Sequence, residues 1–170
     1  MVKADAYGHG AAAIASLLQG QVEALGVAFL AEALALRALG ITGPIAVLEG
    51  VFSASELEEA RNADLQLAVH SPEQVALLQA APHGSAVSVW LKLNTGMNRL
   101  GFRPAEALLV WRQLKGLAVV SRINVMTHFS RADELASNQT ELQWGRFTAV
   151  RDALSLQQGA PLTASVANSA

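Results

Sequence analysis

Cysteine is missing altogether from the 170-residue chain, which excludes disulfides, thiolate metal ligands and a cysteine nucleophile in one step. Aromatic residues are scarce, at 5%, and tyrosine occurs once, at position 7. Charge is thin as well: Asp, Glu, Lys and Arg make up 15% of the chain, against roughly 25% in ordinary soluble domains. Much of this chain therefore expects to be covered. The formal net charge is −2 and no basic block occurs, so neither nucleic acid nor an anionic membrane is an expected partner. Apolar runs are short and interrupted, below the ~18 residues that span a bilayer, and no basic-then-apolar leader precedes Lys3. A soluble, cytoplasmic protein is the expectation.

What is present is hydrophobic mass. At 52% the apolar fraction suffices for a sizeable core, and with no linker, charge run or low-complexity stretch, residues 1–170 read as one domain. Val2-Lys3 reads as a strand end, followed by a glycine-flanked turn and a helix over Ala11–Leu18. Strands follow at Ala24–Leu30, Pro44–Leu48, Leu65–Val69, Ala86–Leu93 (the longest), Arg122–Met126 and Leu162–Ala167. Between them lie helices: Ala31–Leu39, closed by Gly40; one opened by a Ser53/Glu56 capping box; one opened by Ser71-Pro72; one starting at Pro104. A longer one is capped by Asn138 with Glu141, and Trp144, Phe147, Val150 and Leu154 recur along it at helical spacing. Strands that are apolar runs rather than in/out alternations argue for a parallel sheet covered by helices. No G-x-G-x-x-G follows the first strand, and polar residues gather at the C-terminal ends of successive strands. An incomplete (β/α)8 barrel, with seven of eight strands, is favoured over a doubly wound sheet.

Those polar strand ends carry the chemistry. A lysine at a strand end, partly desolvated, can form a Schiff base with an aldehyde, and the glycine-rich turn after Lys3 offers N–H groups to a phosphate beside Tyr7. Arg99 follows a turn that aims its fixed fork over the strand ends, where it can donate to a phenolate or carboxylate. Lys92 sits on an apolar strand, where a buried ammonium without a partner would be costly, unless alternation points it toward the helices with its head snorkelling outward. His128 ends a strand, and Ser169 stands where a helix N-terminus would begin. Asp133 and Glu134 read as solvated charges, and His9, His70 and His83 lack metal-type spacing and are left as structural or exposed. No metal is expected.

Four strings carry a family resemblance: Val2-Lys3-Ala4-Asp5-Ala6-Tyr7-Gly8-His9-Gly10, Thr95-Gly96-Met97-Asn98-Arg99-Leu100-Gly101, Thr127-His128-Phe129 with Ala132-Asp133-Glu134, and Asn168-Ser169-Ala170. Together they resemble the alanine racemases more closely than other pyridoxal-phosphate enzymes with a barrel lysine. The resemblance implies pyridoxal 5′-phosphate as cofactor and reversible conversion of L-alanine to D-alanine. It implies Lys3 as the cofactor lysine and an acid/base, Tyr7, Asn168 and Ser169 at the phosphate, Arg99 at the phenolic oxygen and the substrate side, and His128 stacked on the pyridine ring. Lys92 matches a lysine that is carbamylated in some members. Asn94 stands where Asp is commoner, and Ser165 where many relatives carry His.

The family is homodimeric, and its second acid/base is a tyrosine from the partner's C-terminal β-domain. Tyr7 is already placed at the phosphate. The eighth strand, the arginine that pairs with the pyridine nitrogen and the β-domain all fall outside this sequence, so it reads as a segment of such an enzyme, inactive alone. A non-catalytic barrel that binds pyridoxal phosphate is the alternative. The Thr-Gly-Met-x-Arg and Thr-His-Phe strings favour the racemase.

Overall fold

In the computed structural model, which describes residues 1–168, six strands form one sheet: β1 (Leu25–Val27), β2 (Ile45–Val47), β3 (Gln66–Val69), β4 (Val87–Lys92), β5 (Val120–His128) and β6 (Ala164–Ala167). Their order in space is their order in sequence, and every pairing is parallel. Parallel neighbours need a crossover. Helices α2 (Ala11–Leu18), α3 (Leu30–Ala38), α4 (Ala54–Asn62), α5 (Pro72–Gln79), α6 (Ala107–Lys115) and α7 (Gln139–Gln158) alternate with the strands. The result is a curled α/β half-barrel.

Alternation along each strand sorts two faces. On β4, Val87, Val89 and Leu91 are at most 2% exposed and join the helix-packed core with Ile45, Val47, Leu67 and Val125. The other parity carries Ser88, Trp90 and Lys92. Trp90 Nε1 donates to Gln66 Oε1 at 2.7 Å and Asn124 Nδ2 to Ser88 Oγ at 3.3 Å, so this inner face is polar and hydrogen-bonded across strands. It borders a cleft of about 600 Å³ lined by Gly26, Ala46, Gln66, Trp90, Asn124 and Met126.

Both predicted N-caps form, but the Ser53/Glu56 box closes one residue early, on Phe52 N rather than Ser53 N. Ser53 Oγ accepts from Glu56 N, while Glu56 Oε2 accepts from Phe52 N, and Ser71 caps α5 with Pro72 in the first turn. Three expectations are corrected. Asn138 makes no side-chain cap; Ser137 Oγ takes the N–H of Gln139 instead. The longest strand is β5, not β4, because its pairing runs on past Met126 to His128 opposite β6.

Val2-Lys3 is also not a seventh strand. Val2 keeps a single sheet-like bond, its N–H to Gly26 O at 2.8 Å, and the chain then turns into α1 (Lys3–Tyr7). Ala4, Asp5, Ala6 and Tyr7 all have φ between 51° and 57°, a left-handed turn built without glycine. Such residues cost about 1–2 kcal/mol each, so something outside the turn must hold it.

Candidate active site

The holding group is Glu32, in the first turn of α3. Its Oε1 accepts from Ala4 N at 2.7 Å, and its Oε2 from Ala28 N at 2.7 Å and Phe29 N at 3.1 Å. One carboxylate thus ties the residue after Lys3 to the C-terminal end of β1. At the other end of the turn Asp5 Oδ1 accepts from Ala11 N at 2.7 Å, joining it to the start of α2. Lys3 is half-buried, with its Nζ 5.9 Å from the centroid of the Tyr7 ring. Tyr7 itself is exposed at the rim.

Lys92 ends β4 on the inner face, with the parity of Ser88 and Trp90. The alternative that alternation turns it toward the helices is thereby corrected. It is 9% exposed, and burial pushes its ammonium below the usual lysine range; Glu49 pulls the other way, and Arg99 and Lys3 add to the lowering. Beyond it, Leu93 and Phe102 form a parallel bridge that closes the base of the loop carrying Arg99. Inside that loop Asn94 Oδ1 accepts from Gly96 N and Asn98 N, and Asn94 Nδ2 donates to Asn98 Oδ1. The amide at position 94 therefore organises the turn as both acceptor and donor. Arg99 is exposed and joins Lys92, Asn94, Met97 and His128 in lining a small cleft.

His128 ends β5 on the same inner face. Burial lowers its pKa, and Arg99, Lys92 and Lys3 lower it further, so the imidazole is held neutral near pH 7. These mutual influences place Lys3, Lys92, Arg99 and His128 at one rim of the sheet, with Glu49 the carboxylate that acts on Lys92. Asn168 follows β6, whose last residue, Ala167, accepts from Phe129 N at 3.2 Å, so it leaves the sheet beside His128. Ser169 lies outside the described residues.

Sequence reasoning did not find Glu32, Glu49 or Gln143, while His70, left as structural or exposed, is structural. His70 is buried at the end of β3, with Nε2 3.0 Å from Glu49 O, while Gln74 Nε2 donates to the same carbonyl at 2.8 Å. Gln143 is 0% exposed on α7, four residues before Phe147. A polar residue on an apolar helical stripe was the available signal. His9 and His83 are exposed, Glu134 pairs with Arg131 at 3.2 Å on the surface, and Asp133 is exposed. Among the described residues no cluster of metal ligands occurs, and no helix is long and apolar enough to cross a membrane.

This geometry has counterparts. A curated alanine racemase of Pectobacterium carotovorum is 46% identical over 170 residues, covering 99% of this chain and 45% of the relative. One of Aromatoleum aromaticum is 46% identical over 153 residues, covering 89% and 43%. The solved alanine racemase of Clostridium difficile 630 superposes with a TM-score of 0.89 at 32% identity over 99% of this chain and 47% of its own. For the biosynthetic alanine racemase of Pseudomonas aeruginosa the TM-score is 0.83 at 35% identity, over 98% and 50%. The chain thus spans less than half the length of these curated relatives. The family profile described as alanine racemase, N-terminal domain, matches residues 1–170, and the chain belongs to that family.

Proposed function

We propose that this chain is the cofactor-binding barrel portion of a pyridoxal-phosphate-dependent alanine racemase, acting in the cytoplasm within a homodimer. The observation that carries the reading is the gathering of Lys3, Lys92, Arg99 and His128 at one rim. Such a set of nitrogen groups with one nearby carboxylate suits a phosphorylated, phenolic aldehyde: an amine for the carbonyl, a guanidinium for the phenolic oxygen, a flat ring for stacking.

Lys3 would hold the cofactor covalently, Tyr7, Asn168 and Ser169 its phosphate, Arg99 its phenolic oxygen and the substrate carboxylate, and His128 one face of its ring. When bound, pyridoxal phosphate supplies the electron sink that makes the α-proton of alanine removable. Lys3 Nζ takes or returns that proton on one face. Arg99, an obligate cation, keeps the phenolic oxygen ionised. Lys92 is buried, and burial disfavours its charged form; carbamylation would turn it into an anion that braces Arg99. Inversion needs a second acid/base on the opposite face, and Tyr7, the one tyrosine here, is assigned to the phosphate. The 170-residue chain alone should therefore not racemise alanine. In the whole enzyme the product would serve peptidoglycan synthesis or the reaction would serve alanine catabolism.

The test is covalent capture. Incubation with pyridoxal phosphate and borohydride should label Lys3, as read by peptide mass spectrometry, and Lys3→Ala should abolish the label. Labelling at Lys115 as readily as at Lys3, with the total unchanged by that substitution, would refute the proposal.

A further inference from the structure

Helix α7 carries the one fully buried glutamine of the core, and that glutamine touches both segments that bear the ring-side groups. Gln143 Oε1 accepts from Ser130 N at 2.9 Å and Ser130 Oγ at 3.0 Å. Its Nε2 donates to His128 O at 3.0 Å and to Thr95 Oγ1 at 3.3 Å. Thr95 is 1% and Thr127 5% exposed, and their hydroxyls are 2.7 Å apart.

The protons of this chain can be assigned. Thr127 has one hydroxyl proton, which goes to Leu93 O at 2.9 Å. Thr95 must then donate to Thr127, and its oxygen accepts from Gln143. The donation runs from Gln143 to Thr95 to Thr127 and ends on the Leu93 carbonyl, with the amide Nε2 of Gln143 supplying its first proton. The same helix adds Arg146 Nη1 on Thr95 O at 2.9 Å and Gln139 Nε2 on Gly96 O at 3.4 Å.

We propose that Gln143 is a positioning residue: from behind the sheet it fixes the Arg99 loop, through Thr95, against the His128 segment, and so sets the spacing of guanidinium and imidazole around the cofactor. This rests on the cofactor reading above, and Gln143 itself touches neither cofactor nor substrate.

The test uses the full-length enzyme and pyridoxal 5′-phosphate, with Gln143→Glu, Thr95→Val and Thr95→Ser. Gln143→Glu keeps the acceptor for Ser130 but turns the donor into an oxygen facing the His128 carbonyl. At neutral pH its cofactor Kd should rise about tenfold or more over the parent. On acidification the new carboxyl takes a proton, the donor returns, and the ratio of the two Kd values should fall back toward one. A purely structural lesion gives no such recovery. Thr95→Val should weaken binding at every pH, and Thr95→Ser should restore it.

In the cofactor-free enzyme, amides at 96–99 and 129–130 should exchange faster in Gln143→Glu while those of α2 and α3 do not change. A Kd ratio near one at neutral pH, equal impairment by Thr95→Val and Thr95→Ser, or unchanged exchange at those amides would each overturn the inference. Should Gln143→Glu fail to fold, the Thr95 pair decides by the same criteria. A parent enzyme that takes up no pyridoxal phosphate sinks the cofactor reading instead, and the exchange comparison then decides the brace.

Discussion

Replacing Glu32 with glutamine removes one unit of negative charge and leaves the shape nearly unchanged, which makes it a clean probe of the turn behind Lys3. The carboxylate accepts three backbone N–H groups: Ala4 N on one oxygen, Ala28 N and Phe29 N on the other. Glutamine offers one acceptor oxygen, so its NH2 must face either the Ala4 side or the β1 side. The β1 side presents two donors and keeps the oxygen; the bond to Ala4 is lost. Hydrogen bonds to charged groups contribute about 1.5–3 kcal/mol each, and the turn they steady costs roughly 4–8 kcal/mol over four left-handed residues. The turn's own bonds, such as Ala6 N to Val2 O at 3.0 Å and Gly8 N to Asp5 O at 3.0 Å, survive. Residues 4–8 should therefore open locally without global unfolding. Native-state amide exchange should lose about 10- to 100-fold of protection there, as 1.4 kcal/mol corresponds to tenfold. Capture of pyridoxal phosphate at Lys3 should slow in parallel. Exchange at 4–8 identical to the parent, with the remaining amides also unchanged, would show that the carboxylate does not hold the turn.

Further outcomes follow from other contacts. Gly101 has φ +111°, and a Cβ there would sit 2.8 Å from Lys92 O and 2.9 Å from Asn94 N; Gly101→Ala should break the Leu93–Phe102 bridge and cost about 2–3 kcal/mol by chemical denaturation. Asn94→Asp keeps the two accepted bonds and loses only the donation to Asn98, so the loss should stay within about 1 kcal/mol. Lys92 has a depressed pKa in the fold, so the unfolded chain binds more protons between that value and the ordinary lysine value. Cofactor-free stability should rise with pH through that window, and Lys92→Met should flatten the rise and stabilise the protein at neutral pH by about 1 kcal/mol. His128 is likewise depressed; stability should fall as pH drops below the ordinary histidine value, and His128→Phe should remove that part of the acid slope in pH-dependent melting curves.

Much of this architecture was legible in residue order. Ser53-x-x-Glu56 and Ser71-Pro72 announce their helices because capping is local chemistry, and the apolar runs announce a sheet packed against helices because that face avoids water. Two of the four strings supply Arg99 and His128, which line one small cleft together with Lys92. What stayed hidden is long-range. Ala-Asp-Ala has no left-handed signature, and only Glu32, 28 residues away from Ala4, makes that turn tenable. Asn138 and Ser137 are both plausible caps, and the geometry of the preceding loop chose the serine. Gln143 reads as the polar flank of a stripe until the carbonyl of His128 and the hydroxyl of Thr95 are seen above it. The extension of β5 to His128 depends on a partner strand nearly forty residues downstream.

Strand order identical to chain order has a consequence for biogenesis. As the polypeptide leaves the ribosome, each new βα unit finds its docking edge already built by the unit before it, so the sheet grows by accretion and never waits for a distant segment. Within the described residues the rim matures in the same direction: the amine precedes β1, and the imidazole arrives with β5, four strands later. A nascent chain interrupted midway therefore displays the lysine without Arg99 and His128.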